Sequence, residues 1–108
     1  MTEPTLPELV AAEPDRVALA DDLGGRRTRA EWWDRATRLG RFLRDDLGVP
    51  AGGHVALLSD NRVELFDLYL ASVLSGVWFV PVNGLLAAHE VEYVVRDAGA
   101  RVVLAEAE

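Results

Sequence analysis

Apolar and polar positions follow two rhythms along this chain. From Thr28 onward, Trp32, Ala36, Leu39, Leu43 and Leu47 recur at spacings of four, three, four and four, the stripe of an amphipathic helix. Thr28 is a good N-cap, and Glu31 three residues on completes a capping box. Glu31–Arg35 and Asp34–Arg38 are spaced for i, i+4 pairing on the wet side, and Gly48 supplies the stop. The second rhythm is the short, nearly continuous apolar run: "HVALLS" (His54–Ser59), "VWFVPV" (Val77–Val82) and "RVVLAE" (Arg101–Glu106). Such runs read as strands of a parallel sheet covered on both faces.

Helical segments separate those strands. Asn61 with Glu64 opens a helix from about Arg62 to Leu74, apolar on most of its circumference and ended by Gly76. A third helix from Ala88 to Ala98 turns Val91, Val94, Val95 and Ala98 inward and stops at Gly99. Upstream, "RVALAD" alternates as a strand does, "DLGG" turns and "RRT" returns, which predicts a short hairpin. Residues 1–15, with three prolines, are expected to be a loosely ordered leader with one helical turn. The predicted fold is therefore α/β: an N-terminal β-hairpin and helix, then a βαβαβ parallel-sheet unit with right-handed crossovers, over residues 16–108. One position resists it. Pro81 lies inside an apolar strand, although proline lacks a ladder N–H and is confined to edges, ends or bulges.

Composition narrows the chemistry. The formal charge of −7 argues against a nucleic-acid or anionic-membrane surface. Without cysteine there is no disulfide frame and no thiolate metal site. No apolar stretch is long enough for an integral membrane segment, and no signal peptide opens the chain, so a cytoplasmic protein is expected. All eleven basic residues are arginine, which removes the tunable amine and the phosphate-loop lysine from the available groups.

Each candidate site in the sequence has a plainer reading. A dinucleotide site needs Gly-x-Gly-x-x-Gly after the first strand, but "SDNRVE" has no glycine and two acids, and "VNGLLAAHE" has a single glycine. His54 and His89 have no nearby spaced ligands; the first is expected to pack at a strand start and the second to sit in a helix's first turn. Ser75 precedes Gly76, but Val73 stands where a nucleophile elbow requires glycine. Trp32, Trp33 and Trp78 read as core and interface packing. Arg26, Arg27 and Arg29 face Asp21, Asp22 and Glu31 in the sequence and read as a solvated, salt-bridged face. The residues themselves thus assign no catalytic, cofactor-binding or metal-ligating position.

Three stretches in order, "DDLGGRRTRAEWW", "GVPAGGHVALLSDNRVELFDLYLASVLSGVWFVPVN" and "HEVEYVVRDAGARVVLAE", resemble the N-terminal portion of adenylate-forming enzymes, the AMP-dependent synthetase/ligase superfamily. They look most like bacterial fatty-acyl-CoA synthetases. The likeness lies in "TRAE" at Thr28–Glu31, in the glycine-ended helix running into "SGVWFVPVN" with its Pro-x-Asn close, and in the Gly-Ala-Arg-Val entry to the last strand, and it covers about Arg16 to Glu106. Arg29 stands where the family commonly has an aromatic, and Ala87 where it commonly has threonine.

The resemblance implies an AMP-forming acid–thiol ligase that uses ATP and Mg²⁺ to adenylate a carboxylic acid and then forms a thioester with coenzyme A. The family's Ser/Thr/Gly-rich loop, adenine and magnesium motifs and lysine-bearing C-terminal domain lie further along than Glu108. The expectation is an N-terminal fragment, inactive alone and without a cofactor of its own, whose partner is the remainder of the synthetase. The alternative is a stand-alone non-catalytic α/β module acting through a partner polypeptide.

Overall fold

The computed structural model describes residues 3–58, 62–82 and 87–105. In chain order the elements are α1 (Leu6–Ala12), β1 (Val17–Ala20), β2 (Arg26–Thr28), α2 (Arg29–Arg41) running into a π-helical turn (Phe42–Asp46), β3 (His54–Leu58), α3 (Val63–Ser75), β4 (Trp78–Val82), α4 (Ala88–Ala98) and β5 (Ala100–Ala105). β1 and β2 form an antiparallel hairpin; β3, β4 and β5 form a parallel sheet in the order β4-β3-β5. The predicted hairpin, helix and βαβαβ unit are all present.

β3 is the middle strand, and its Val55, Ala56 and Leu57 are buried. α2 and α3 close one face over a core of Leu43, Val49, Val55, Leu57, Leu68 and Val77, flanked by Leu39, Leu65, Phe79, Val102 and Leu104. Each fully buried side chain of this size contributes roughly 1.5–3 kcal/mol relative to leaving it in water. Ala36, Leu70 and Ala71 form a second cluster where small residues let α2 and α3 approach closely. The two crossovers move in opposite directions across β3, so right-handedness assigns α3 and α4 to opposite faces. In α4, Val91, Val94, Val95 and Ala98 are half-buried while Glu92, Tyr93, Arg96 and Asp97 are exposed, as the stripe predicts.

Backbone parity explains Pro81. The Trp78 N–H donates to the Gly53 carbonyl at 2.8 Å, so residues 78, 80 and 82 turn their polar groups toward β3. Phe79 and Pro81 then face away from β3. β4 is an edge strand, so the missing N–H of Pro81 lies on the open side, where it removes no ladder bond.

Three expectations need correction. The leader carries two turns of helix rather than one: Thr5 and Glu8 cap α1 reciprocally, Leu6 packs against the second cluster, and Arg29 Nη1 donates to the Leu9 carbonyl at 3.0 Å. Leu47 leaves the buried stripe and is 40% exposed. The π turn adds a residue to its last loop, with the Leu47 N–H reaching the Phe42 carbonyl at 2.9 Å, and Val49 takes the buried place instead. Finally, Glu31 and Arg35 form no ion pair, because Glu31 Oε1 accepts from the Thr28 N–H at 2.8 Å; Asp34 and Arg38 do pair. The expected Asn61 cap lies outside the described residues, as do Ser59, Asn83 and Glu106.

Candidate functional site

The polar groups with buried or multiple contacts converge where the hairpin meets α3. Asp21 follows β1, and its carboxylate does two things at once. Oδ1 accepts from the Leu23 and Gly25 N–H groups at 3.0 and 2.7 Å, and Oδ2 accepts from the Val63 N–H at 3.1 Å. It therefore closes its own turn and caps the first residue of α3 from 42 positions away. These bonds, Gly25 first and Val63 next, hold the Asp21 carboxyl below its ordinary value of 3.8. The arrangement requires glycine at position 25, since a Cβ there would stand 2.5 Å from Asp21 Oδ2.

One helical turn into α3 lies Asp67, 5% exposed. Arg27 from β2 reaches its Oδ2 through Nε at 3.4 Å and Nη2 at 3.2 Å, and Glu64 stands 3.8 Å from the same guanidinium. Asp67 Oδ1 has no hydrogen-bond partner among the described residues. Burial pushes the Asp67 carboxyl up, against the opposing pull of Arg27. A cavity of 460 Å³ opens beside this pair, lined by Arg35 and Arg38 of α2, Glu64 and Asp67 of α3, and a floor that includes Leu57 and Leu104 of the sheet. Trp32 Nε1 donates to the Phe66 carbonyl at 3.0 Å, tying α2 to α3 a short way along.

This is joinery rather than reactive chemistry. The arginine cluster is salt-bridged and Arg26 is exposed, as expected, but its partners are not the neighbouring acids: Arg27 is drawn inward to Asp67, and Arg29 bonds Glu13 and the Leu9 carbonyl, while Asp21 and Glu31 are engaged by backbone N–H groups. His54 stacks on Trp78 with ring centroids 6.4 Å apart; the two are register partners across β3 and β4. His89 is exposed in the first turn of α4. Ser75 Oγ donates to the Ala71 carbonyl at 2.6 Å, so its proton is spent on the helix backbone. Trp32 and Trp33 pack against the second cluster, while Trp78 is 65% exposed. Among the described residues no three His, Cys, Asp or Glu side chains come together to hold a metal ion. At the hairpin–α3 junction the Asp21 carboxylate is taken up by backbone N–H groups and Asp67 Oδ2 by Arg27, while Asp67 Oδ1 is buried without a hydrogen-bond partner among the described residues.

Residues 6–108 match the family model described as AMP-binding enzyme. The chain belongs to that family of adenylate-forming enzymes. Among curated relatives it is 41% identical over 58 residues to the long-chain-fatty-acid–CoA ligase FadD13 of Mycobacterium tuberculosis, a stretch that is 54% of this chain and 12% of that protein. It is 35% identical over 97 residues to the 2-succinylbenzoate–CoA ligase of Geobacillus kaustophilus, covering 88% of this chain and 19% of the relative. The inhibitor-bound N-terminal domain of FACL13 from M. tuberculosis superposes with a TM-score of 0.83 at 33% identity, over 93% of this chain and 25% of that one. The chain thus spans less than a fifth of the length of these curated relatives.

Proposed function

We propose that these 108 residues are the N-terminal framework of an ATP-dependent acyl-CoA synthetase. The complete enzyme would adenylate a carboxylic acid and pass the acyl group to coenzyme A, and this part alone would catalyse neither step. The observation that carries the reading is the pairing of extent with likeness: 93% of the chain superposes on the N-terminal domain of FACL13 and covers 25% of it. The committed state of the polar groups at the hairpin–α3 junction supports a scaffolding role. Its partner is the remainder of the synthetase, with ATP, Mg²⁺ and coenzyme A bound there, in the cytoplasm where these substrates meet. A long-chain fatty acid is the first substrate to test, since FadD13 is named for one.

Grafting tests this directly. Residues 6–108 would replace the matching N-terminal stretch of the M. tuberculosis ligase, and acyl-CoA formation from palmitate would be followed. Retained turnover supports the framework role. A chimera that folds and binds ATP but forms no thioester contradicts it.

A further inference from the structure

Arg27 stands between two carboxylates of α3 set about one helical turn apart. Its Nε and Nη2 reach Asp67 Oδ2 at 3.4 and 3.2 Å, and the same Nη2 lies 3.8 Å from Glu64 Oε1. Nη1 donates to the Arg26 carbonyl at 3.0 Å, so Nη2 is the group the two acids share. Their surroundings differ sharply: the Glu64 side chain is 60% exposed and that of Asp67 only 7%. The other charges facing this cluster are placed elsewhere. On α2, Arg38 pairs with Asp34, and Arg35 acts on Asp67 through its charge without bonding to it. Glu31, also near Arg27, accepts from the Thr28 N–H at 2.8 Å.

We infer that Arg27 has two seats on α3 and that one proton moves it between them: on Asp67 when that carboxylate is charged, on Glu64 when Asp67 is neutral. A proton added to the cluster goes to Asp67, since a charge held out of water costs more than one in contact with it. It settles on Oδ1, the oxygen with no hydrogen bond to lose. Arg27, Glu64 and Asp67 carry one positive and two negative charges; after proton uptake the guanidinium is left with a single anion. Nη2 then closes on Glu64 Oε1 from 3.8 Å to about 2.8 Å, the length of a charge-assisted bond. Asp67 Oδ2, now a carbonyl oxygen, still accepts from Nε. The hairpin therefore stays joined to α3 in both protonation states, with Glu64 as the reserve partner. Burial sets the step above the ordinary aspartate value of 3.8. None of this depends on the synthetase reading.

Carbon and nitrogen NMR of the labelled chain, from about pH 7 to about pH 3, follows both acids and the guanidinium. The Asp67 carboxyl carbon should move before that of Glu64, and exchange of the Arg27 Nε proton should stay slow throughout. In Glu64→Gln that exchange should be unchanged near neutral pH and about tenfold faster once Asp67 is protonated, the loss of one charged hydrogen bond. Asp67→Asn imposes the neutral state, so Arg27 should contact Glu64 already at neutral pH. Proton uptake by Glu64 ahead of Asp67, release of Arg27 in the unaltered chain as Asp67 titrates, or a Glu64→Gln profile matching the parent would overturn the inference. If Asp67→Asn does not fold, the unaltered chain and Glu64→Gln decide.

Discussion

Replacing Arg27 by methionine removes the guanidinium from Asp67 and keeps much of the side chain's apolar stem. Asp67 is 5% exposed and already has one oxygen without a partner among the described residues, so the variant leaves a buried carboxylate with no hydrogen-bonded cation and only the more distant charge of Arg35 to offset it. Breaking one side of a buried pair costs about 3–5 kcal/mol. Arg27 and Asp67 side chains retain 12% and 7% exposure, which places the expected loss at the lower end, about 3 kcal/mol. For a domain of this size that lowers Tm by about 12 °C or more.

Urea titration followed by tryptophan fluorescence reads the loss, and the double variant Arg27→Met/Asp67→Leu identifies its cause. With both charges gone, stability should return to within about 1 kcal/mol of the parent. The pH dependence has a definite sign. Burial raises the Asp67 folded-state pKa above its ordinary 3.8, so the folded chain binds that proton more tightly than the unfolded one. The gain is complete below 3.8 and is lost as pH rises through the folded value. In Arg27→Met the folded value rises further, so the variant's deficit should shrink on acidification. An Arg27→Met variant within about 0.5 kcal/mol of the parent, or a double variant as unstable as the single, would refute the argument.

Other expectations concern the joints around this pair. Gly25→Ala should displace the Asp21 carboxylate from the Val63 N–H and loosen the start of α3, seen as faster amide exchange at Val63. Pro81→Val should leave stability within about 0.5 kcal/mol, whereas Val80→Pro, one residue away but facing β3, should cost about 3 kcal/mol or more by denaturant titration. Thr28 N–H and hydroxyl bonds lower the Glu31 pKa, as the turn and Val63 bonds lower that of Asp21. Their stabilising contributions are present above the ordinary values of 4.5 and 3.8 and are lost as pH falls through the lower folded values. Asp21→Asn should therefore flatten the acid limb of the stability curve, measured as the urea midpoint against pH.

Local rules were enough to read most of the fold. The capping box at Thr28, the glycine stops at 76 and 99 and the three apolar runs depend on neighbours a few residues apart, and each appears where the pattern puts it. Pro81 could be flagged as anomalous from the sequence, but its explanation required the strand order, since only an edge position leaves its missing donor harmless. The long-range polar joints were not legible. Asp21 to Val63 and Arg27 to Asp67 span 42 and 40 residues, and nothing in local spacing distinguishes Asp21 from its neighbour Asp22 or Arg27 from Arg26. Leu47 was misplaced for a local reason with a tertiary origin: a π turn shifts the helical phase by one residue, and the 3.6-residue period has no term for it. Ala87 shows the reverse case. It lacks a capping hydroxyl, yet the Glu90 carboxylate still accepts from the Ala87 N–H at 3.1 Å, so half of the expected cap survives the substitution.

The claim that these residues are scaffold for a ligase whose reactive groups lie elsewhere is tested most directly by ATP–pyrophosphate exchange. The isolated 108-residue chain would be assayed with Mg²⁺ and a panel of aliphatic and aromatic carboxylic acids. The account predicts a rate indistinguishable from that of the buffer alone with every acid. Acid-dependent exchange above that background, abolished by heat unfolding, would contradict it.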